Sequence, residues 1–412
     1  MNGKGEDEVF TMKWIQKGDS ARLQLLDQSD LPASVSYVDL HNAKEVAESI
    51  RSMKVRGAPA IGCAAAYGMA LECLLIAKEE PSVSGSTLKD KLQDTKKAMD
   101  EARPTAVNLM YATARIVEVV DTILNIREDA SAALISECIV DEAQRIFNED
   151  VENNKRLGSH GVATIDQDVA PMRASKAAKT EGATATNGPA ERLNLIHHCN
   201  TGALATAGHG TALGVIFSLS QAGKNLHVYV DETRPRLQGA KLTCWELRES
   251  RIPHHLIVDG ASGLLMYQGK VDAVVFGADR VAANGDVANK IGTFNLAMAA
   301  HAHGIPVYAC VPTSTIDLTI PTGQDIVIEE RSSDEILRVS GGASIAPDGT
   351  QVFNPAFDVT PARFLTGIIT EEGTLKPPFG ANLKEAKEKA LQREKDNRQK
   401  SLLAIQQKLS AK

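Results

Sequence analysis

The sequence predicts an α/β protein whose C-terminal half is a doubly wound parallel, Rossmann-like sheet. The N-terminal half is predicted to be mainly helical, with a small antiparallel sheet. Three observations predict this fold: short alternating runs in the first 40 residues, helical spacing of apolar residues over 43–158, and apolar strand-like runs that alternate with helices over 194–311. Continuous apolar strands are typical of parallel sheets covered by helices on both faces.

In the first half, strands are predicted over residues 14–15, 22–28 and 34–38. Helices are predicted over 43–54, 59–78, 87–101, 105–126 and 130–158. The longest apolar stretch, 61–77, approaches the length of a membrane span. Because Glu72 interrupts it and small residues dominate it, a buried core helix is predicted there and no membrane segment is expected.

In the second half, strands are predicted over residues 194–198, 226–231, 255–258, 272–277 and 306–311. The helices between them are predicted over 208–222, 236–251, 261–268 and 289–302. Ligands of such sheets bind beyond the carboxyl ends of the strands, so candidate functional residues are sought there.

These patterns divide the chain into three predicted regions. Residues 1–150 form the small sheet and helical bundle, 151–380 the Rossmann-like catalytic domain, and 381–412 a charged, solvated helical tail. Residues 164–192 are rich in Ala, Thr, Ser, Lys, Gly and Pro and predict a flexible surface insertion.

Composition excludes several classes of protein. With 43% hydrophobic and 24% charged residues, the 412-residue chain is globular rather than disordered. A net charge of −7 and 4% aromatic residues argue against a nucleic-acid partner. Six cysteines without CxxC spacing, and no evident targeting segment, predict a reducing compartment. The cytoplasm is expected, and the nucleus is left open.

Cys199 ends the first strand of the predicted parallel sheet, before Asn-Thr-Gly. A helix N-terminus lowers the pKa of a thiol, and apolar surroundings raise it. Position alone therefore leaves two interpretations open, a reactive thiol or a small buried residue. A zinc site with His197 is disfavoured, because His198 points to the other face and the chain offers no partner motif. No metal is expected.

Asp279 follows a run of six apolar or small residues at the end of the fourth strand. Desolvation in such surroundings raises the pKa of a carboxyl, and a partly protonated carboxyl can act as a general acid near neutral pH. Arg280 would oppose this effect if its side chain turned back toward the carboxylate.

Other residues suit a phosphate. Arg56 precedes the start of the helix 59–78, where Gly57 allows a close approach of the backbone, and Arg103 precedes another predicted helix. Asn289 and Lys290 are predicted to begin a helix, and Gln238 lies in the loop after the second strand, near Arg234 and Arg236. The candidates for holding an anionic, hydroxyl-rich ligand are Arg56, Gly57, Ala58, Arg103, Gln238, Asn289 and Lys290.

The motifs that contain these residues resemble one family. They read Arg56-Gly-Ala-Pro-Ala-Ile-Gly, Cys199-Asn-Thr-Gly, Asp231-Glu-Thr-Arg-Pro-Arg-Leu-Gln-Gly-Ala, Gly277-Ala-Asp-Arg and Asn289-Lys-Ile-Gly-Thr. Over about residues 10–376 the sequence is similar to the methylthioribose-1-phosphate isomerases. The resemblance implies an aldose–ketose isomerisation in methionine salvage, from 5-methylthioribose 1-phosphate to 5-methylthioribulose 1-phosphate, without metal or organic cofactor.

The resemblance also implies roles for residues. Asp279 would be the proton donor and Cys199 the transition-state stabiliser or base. The sugar phosphate would contact Arg56, Gly57, Ala58, Arg103, Gln238, Asn289 and Lys290. A homodimer is implied as well.

Two alternatives remain. Regulatory subunits of the guanine-nucleotide exchange factor for translation initiation are similar in sequence and are scaffold proteins. The presence of both Cys199 and Asp279 in their full motifs argues against that class. A sister isomerase of ribose 1,5-bisphosphate or 5-deoxyribose 1-phosphate would use the same two residues, and the group at the sugar's 5-position would decide between them.

Overall fold

The computed structural model describes residues 9–18, 20–104, 106–179 and 192–411. The chain divides into two compact units. The first contains the chain up to Glu152, the segment Ala203–Gly208 and the end of the chain from Leu391. The second contains the described residues of Asn153–Gly202 and His209–Ala390.

A small antiparallel sheet opens the first unit. Its strands, in spatial order, are β1 (Met12–Lys17), β2 (Ser20–Leu26) and β3 (Tyr37–Leu40). Leu23 and Leu25 of β2 are fully buried, whereas Arg22 and Gln24, which alternate with them, reach Asp39 on β3. This alternation places one face of the sheet on the core, as the sequence predicts.

Five helices follow the small sheet. They are α1 (Ala43–Arg51), α2 (Ala58–Glu79), α3 (Gly85–Asp100), α4 (Val107–Ile126) and α5 (Ala132–Lys179). By length and composition α2 could cross a membrane, yet 78% of its most apolar window is buried. It packs against α1, α3 and α4, which confirms the predicted core helix.

The long helix α5 corrects the predicted flexible insertion. The helix continues to Lys179, and Ile165 and Val169, one turn apart, are buried in the core of the second unit. Asp168 between them accepts a hydrogen bond from the Tyr308 hydroxyl at 2.7 Å. The expectation of an irregular segment is therefore wrong for residues 164–179, because two buried apolar side chains suffice to dock the helix. Residues 180–191 of that prediction lie outside the described chain.

The second unit contains the remaining elements. Its strands are β4 (Leu193–His198), β5 (Leu226–Asp231), β6 (His254–Ile257), β7 (Ala273–Phe276), β8 (Arg280–Ala282), β9 (Val287–Lys290), β10 (Val307–Cys310), β11 (Ile316–Asp317), β12 (Phe357–Thr360), β13 (Gly367–Thr370) and β14 (Gly373–Leu375). Its helices are α6 (Ala212–Gln221), α7 (Cys244–Glu249), α8 (Ser262–Tyr267), α9 (Thr293–Ala302) and α10 (Asp334–Leu337), followed by α11 (Phe379–Ala411), which continues into the first unit.

The large sheet has the doubly wound topology that the sequence predicts. Among the described strands its order is β14-β13-β10-β7-β4-β5-β6, and all neighbours are parallel except β14. The chain moves outward from β4 through β5 to β6, then returns to β7 and moves outward on the other side. The winding direction reverses between β4 and β7, which makes the carboxyl ends of these two strands the topological switch point.

A second sheet, with the order β11-β8-β9-β12, was not predicted from the sequence. Asn289 and Lys290 end β9 instead of beginning a helix, and α9 begins at Thr293 after Gly292, whose φ is 106°. The pairing of β9 with β12 holds these residues extended. Other predicted helices also begin later than expected, among them α4 at Val107, α6 at Ala212 and α7 at Cys244.

The charged end of the chain is not a solvated tail throughout. From Leu391 onward α11 belongs to the first unit, where Ile405 and Leu409 are buried in the core. Ser401 donates to Glu142 at 2.6 Å, and Arg145 donates to Ser401 at 2.9 Å. The abundant Lys, Glu and Gln of this segment cover its exposed face and hide the buried stripe in the sequence pattern.

Candidate active site

Cys199 follows β4 directly, at the switch point. It adopts a left-handed φ of 67°, which is unfavourable for any residue other than glycine. Its N–H donates to Thr233 Oγ1 at 2.9 Å, and its carbonyl oxygen accepts from Thr243 Oγ1 at 2.7 Å. Two threonines on neighbouring segments thus hold a strained turn in place, and such strain is common at functional sites.

Thr233, which accepts the Cys199 N–H from the loop after β5, is strained as well. It is fully buried with a φ of 63°, an unusual conformation for a β-branched residue. The backbone N–H groups of Thr233 and Arg234 donate to the two carboxylate oxygens of Asp259, at 2.7 and 2.8 Å. The sequence analysis missed Asp259, although it follows strand β6 and the strand-end rule would have included it.

The turn after Cys199 is held by the buried carboxylate of Glu246. Asn200 Nδ2 donates to Glu246 Oε1 at 2.7 Å, and Glu246 lies on α7. A Cβ on Gly202 would lie 2.4 Å from both oxygens of Glu246, so a larger residue there would displace this carboxylate. Glu246 was not predicted, because a glutamate within a helix carries no signal of its buried partner.

Cys199 differs from the other cysteines in its exposure. Cys63, Cys73, Cys138 and Cys310 are buried, and desolvation by burial raises the pKa of Cys73 to about 12. Cys199 is partly exposed, which favours the interpretation as a reactive thiol. A turn and the short 3₁₀ helix Ala203–Ala205 follow Cys199, and α6, the helix predicted over 208–222, begins only at Ala212.

Asp279 lies across the switch point, after β7. Its N–H donates to the Ala288 carbonyl at 2.9 Å, and its side chain is exposed although β7 is entirely buried. The expectation that the preceding apolar run surrounds this carboxyl is therefore wrong, since the residue is exposed. The Arg280 side chain pairs with Asp317 at 2.7 Å.

The register of the sheet relates Cys199 to Asp279. His198 on β4 pairs with Phe276 on β7. Cys199 is one residue beyond this pair and Asp279 is three residues beyond it, on strands that lie about 4.8 Å apart. Both residues therefore emerge at the same edge of the sheet.

Three further predicted residues belong to the second unit. Gln238 is buried, and its Oε1 has no hydrogen-bond partner among the described residues. Asn289 is also buried and donates to Thr293 Oγ1 at 2.9 Å. Lys290 places its ammonium 4.2 Å from the centre of the Phe357 ring, a cation–π contact that orients the charge. A buried amide oxygen without a partner is costly unless a ligand supplies one.

The two arginines near Gln238 are engaged within the protein. Arg234 donates to the Ile336 carbonyl at 2.9 Å, and Arg236 pairs with Glu335 at 3.3 Å. They fasten the segment around α10 to the loop after β5.

The other predicted binding residues lie in the first unit. Gly57 has a φ of 90°, and a Cβ there would lie 2.2 Å from the Ala205 carbonyl oxygen. Ala58 begins α2 with Pro59 in its first turn, and no side chain caps this N-terminus. Such N–H groups bind anions. Arg56 and Arg103 are half-buried beside α2 and before α4.

One group among the described residues has the spacing of a metal site. Ligand atoms of His198, Asp231 and Asp259 all lie within 4.8 Å of one another. Hydrogen bonds already use most of these atoms, because His198 contacts Asp231 at 2.9 Å and the Ile291 carbonyl at 3.0 Å, and Asp259 accepts two backbone N–H groups. The cluster is therefore a hydrogen-bonded network that supports the strand ends.

The strand order and the strained, polar strand ends define a class, the α/β proteins that bind a ligand at the switch point of a doubly wound sheet. Residues 54–377 match the initiation factor 2 subunit family. A methylthioribose-1-phosphate isomerase 2 of Pseudothermotoga lettingae is 48% identical over 90% of this chain and 96% of its own length. A methylthioribose-1-phosphate isomerase of Desulfitobacterium hafniense is 46% identical over 90% of this chain and 97% of its own.

Solved structures agree with the fold. The crystal structure of 5-methylthioribose 1-phosphate isomerase from Pyrococcus horikoshii OT3 superposes with a TM-score of 0.78, at 39% identity over 93% of this chain and 96% of that chain. A structure named translation initiation factor eIF-2B, subunit delta, from A. fulgidus gives 0.77 at 35% identity, over 92% of this chain and all of that one. The chain belongs to the initiation factor 2 subunit family and, within it, to the methylthioribose-1-phosphate isomerases.

Proposed function

We propose that the protein is an aldose–ketose isomerase that converts 5-methylthioribose 1-phosphate into 5-methylthioribulose 1-phosphate in methionine salvage. The observation that carries the proposal is the position of Cys199 and Asp279 on the two strands that flank the switch point. Relatives at 46% and 48% identity over 90% of the chain are named for this reaction.

The phosphate on C1 prevents the ring from opening as a free hemiacetal does. Asp279 donates a proton to the ring oxygen, and the bond between C1 and that oxygen breaks. Hydrogen then moves from C2 to C1, and the C2 hydroxyl becomes the ketone. In one route the Cys199 thiolate removes the C2 proton to form an enol phosphate, and the Cys199 thiol then delivers a proton to C1. In the other, C2 passes a hydride to C1 and Cys199 stabilises the transition state. In both routes the C2 hydroxyl gives its proton to the Asp279 carboxylate as the ketone forms.

Substrate binding is proposed for the residues that the resemblance marks. In the first unit, Arg56 and Arg103 supply positive charge, and Gly57 and Ala58 open the uncapped N-terminus of α2. In the second unit, Gln238 offers its buried, unpartnered oxygen to a sugar hydroxyl. The remaining proposed contacts are Asn289 and Lys290.

The test is turnover of 5-methylthioribose 1-phosphate in deuterated water, followed by proton NMR. Wild type is expected to form the ketose, whereas Cys199→Ser and Asp279→Asn each lower kcat by about 10²–10⁴-fold. Cys244→Ser, which alters the other partly exposed cysteine, is the matched control and retains activity. Deuterium at C1 of the product would support the enol route, and its absence would fit either a hydride shift or a proton transfer shielded from solvent.

A second candidate function follows from the likeness to the structure named eIF-2B subunit delta. A folded wild type without turnover of this sugar, or of ribose 1,5-bisphosphate and 5-deoxyribose 1-phosphate, would favour a binding protein of that kind. Turnover of one of the sister sugars alone would transfer the proposal to that substrate.

We further propose a cytoplasmic homodimer, as the resemblance implies. Light scattering coupled to size exclusion should give twice the mass of one 44.1 kDa chain. A mass of one chain across the working concentration range would contradict the dimer.

A further inference from the structure

His198 is the last residue of β4 and stands directly before Cys199. Its ring is fully buried, with Nδ1 2.9 Å from Asp231 Oδ2 and Nε2 3.0 Å from the Ile291 carbonyl oxygen. Asp231 ends the neighbouring strand β5, and Ile291 follows Lys290. One imidazole therefore joins three chain segments that carry candidate site residues.

The contact with Ile291 determines where the ring carries a proton. A carbonyl oxygen only accepts, so Nε2 of His198 donates to it. The second proton is shared between Nδ1 and Asp231 Oδ2. Burial disfavours the charged ring, but the hydrogen bond and charge of Asp231 raise the pKa of His198, and burial raises the pKa of Asp231. The pair holds its proton because its loss would leave a buried carboxylate uncompensated.

The Asp231 side of this ring supports the turn of Cys199. The Asp231 carbonyl accepts from Thr233 Oγ1 at 3.0 Å, and the same Oγ1 accepts from the Cys199 N–H at 2.9 Å. A Cβ on Gly239 would lie 1.8 Å from the Asp231 carbonyl oxygen, so this strand end is closely packed. A shift of Asp231 would therefore move the acceptor that holds Cys199.

The Ile291 side of the ring supports the segment that carries Asn289 and Lys290. Besides the hydrogen bond to Ile291, the ring packs on Gly292, where a Cβ would lie 2.9 Å from His198 Cε1. The backbone N–H of Gly292 is held in turn by Asp358 at 2.8 Å. The ring thus fixes the distance between β4 and the end of β9.

We propose that His198 is a positioning residue for the isomerisation, holding Cys199 through Asp231 and holding Lys290 through Ile291. The proposal rests on the proposed function. It does not make His198 a catalytic residue, because both ring nitrogens are used by the protein. The contact with Asp231 would affect the chemical step through Cys199. The contact with Ile291 would affect substrate binding through Lys290.

Two substitutions of His198 separate its contact with Asp231 from its contact with Ile291. The amide of Gln reaches the position of Nε2, so His198→Gln keeps a donor for Ile291 and loses the contact with Asp231. The amide of Asn reaches the position of Nδ1, so His198→Asn keeps the donor for Asp231 and loses Ile291. We expect His198→Gln to lower kcat about tenfold with KM within about threefold, and His198→Asn to raise KM about tenfold with kcat within about threefold.

His227→Gln is the matched control. His227 is a buried histidine at the opposite end of β5, paired with His255 at 2.6 Å. Its replacement can lower stability but should leave kcat and KM of the folded enzyme unchanged. If both His198 variants behave as His227→Gln does, or both lower kcat alike without a change in KM, the positioning role is overturned.

Two substitutions of Asp231 test the proposal if the His198 variants do not fold. The amide introduced by Asp231→Asn would donate to Nδ1 of a neutral ring and keep the ring in place, so stability and kcat are retained. Asp231→Ala leaves Nδ1 without this partner and lowers kcat of the folded enzyme about tenfold. An unchanged kcat in Asp231→Ala, or a loss of kcat in Asp231→Asn as large as that in Asp231→Ala, overturns the proposal. A wild type without turnover would instead overturn the proposed function, and this inference with it.

Discussion

At the scale of single residues, Asp358 caps the start of α9 with a carboxylate that is itself partly buried. Its carboxylate accepts the backbone N–H groups of Gly292 and Phe294, at 2.8 and 3.1 Å, in front of α9. Burial nevertheless raises the pKa of Asp358 from 3.8 to about 6. The charged form is therefore penalised in the folded protein even though two donors face it.

This shift predicts a pH dependence of stability. Between about pH 4 and 6 the folded state binds more protons at Asp358 than the unfolded state does, so the free energy of unfolding falls as the pH rises. Asp358→Asn removes this slope. The difference between wild type and variant should fall by up to about 1.4 kcal/mol per pH unit in that window and level off above it.

Urea unfolding of both proteins at half-unit steps from pH 4 to 7 measures the difference. Other groups, His198 among them, titrate in both proteins and largely cancel on subtraction. A difference that stays constant over the window would mean that Asp358 has the same pKa in the folded and unfolded states.

Residues of the candidate site differ in how far the sequence could predict them. Cys199 and Asp279 were predictable because they follow apolar strands, and their place beside the switch point depends only on strand order. Thr243 and Glu246 were not, because each acts through a contact that is distant along the chain, whereas Asp259 follows β6 and could have been included by the same rule. The exposure of Asp279 was also unpredictable. The apolar residues before it in the sequence are buried in the sheet, whereas Asp279 lies beyond the strand and is exposed.

At the scale of elements, burial determines which helices and strands form where the periodicity of apolar residues is ambiguous. The parallel strands were predictable because they are buried on both faces and read as apolar runs. Strands β8, β9, β11 and β12 are two to four residues long and too short for an alternating pattern. The segment 164–179 and the end of α11 carry few apolar residues, yet Ile165 and Val169 in the first and Ile405 and Leu409 in the second are buried.

The docking of α11 can be tested with matched leucines. Leu409 is 7% exposed in the core of the first unit, whereas Leu403 on the same helix is 51% exposed. Leu409→Ala should lower the free energy of unfolding by about 2–5 kcal/mol, as removal of buried methyl groups does. Leu403→Ala should change it by about 0.5 kcal/mol or less.

Urea unfolding of the full chain measures both values. Ile405→Ala, which alters a residue that is 2% exposed, should agree with Leu409→Ala. Equal small effects at positions 403, 405 and 409 would show that the end of the chain is solvated, as the charge pattern alone suggests.

At the scale of the whole molecule, the first unit is built from three separate pieces of chain. Thr11 and Gln28 donate to the carbonyls of Ala203 and Leu204 at 2.6 and 2.8 Å. Asp150 accepts from the Ala207 N–H at 2.7 Å. The chain therefore leaves the second unit just after Cys199, contributes six residues to the first, and returns at His209.

This arrangement predicts that a fragment ending at Glu152 is incomplete. It lacks Ile405 and Leu409, so an apolar surface that the full chain buries would be open to water. Adding the peptide 391–412 in trans should raise the fragment's urea midpoint as the peptide concentration rises, because the peptide binds only the folded form. A peptide with Ile405→Ser and Leu409→Ser has the same charges and should have no such effect. Equal responses to the two peptides would mean that charge, rather than the buried stripe, holds the end of α11 in place.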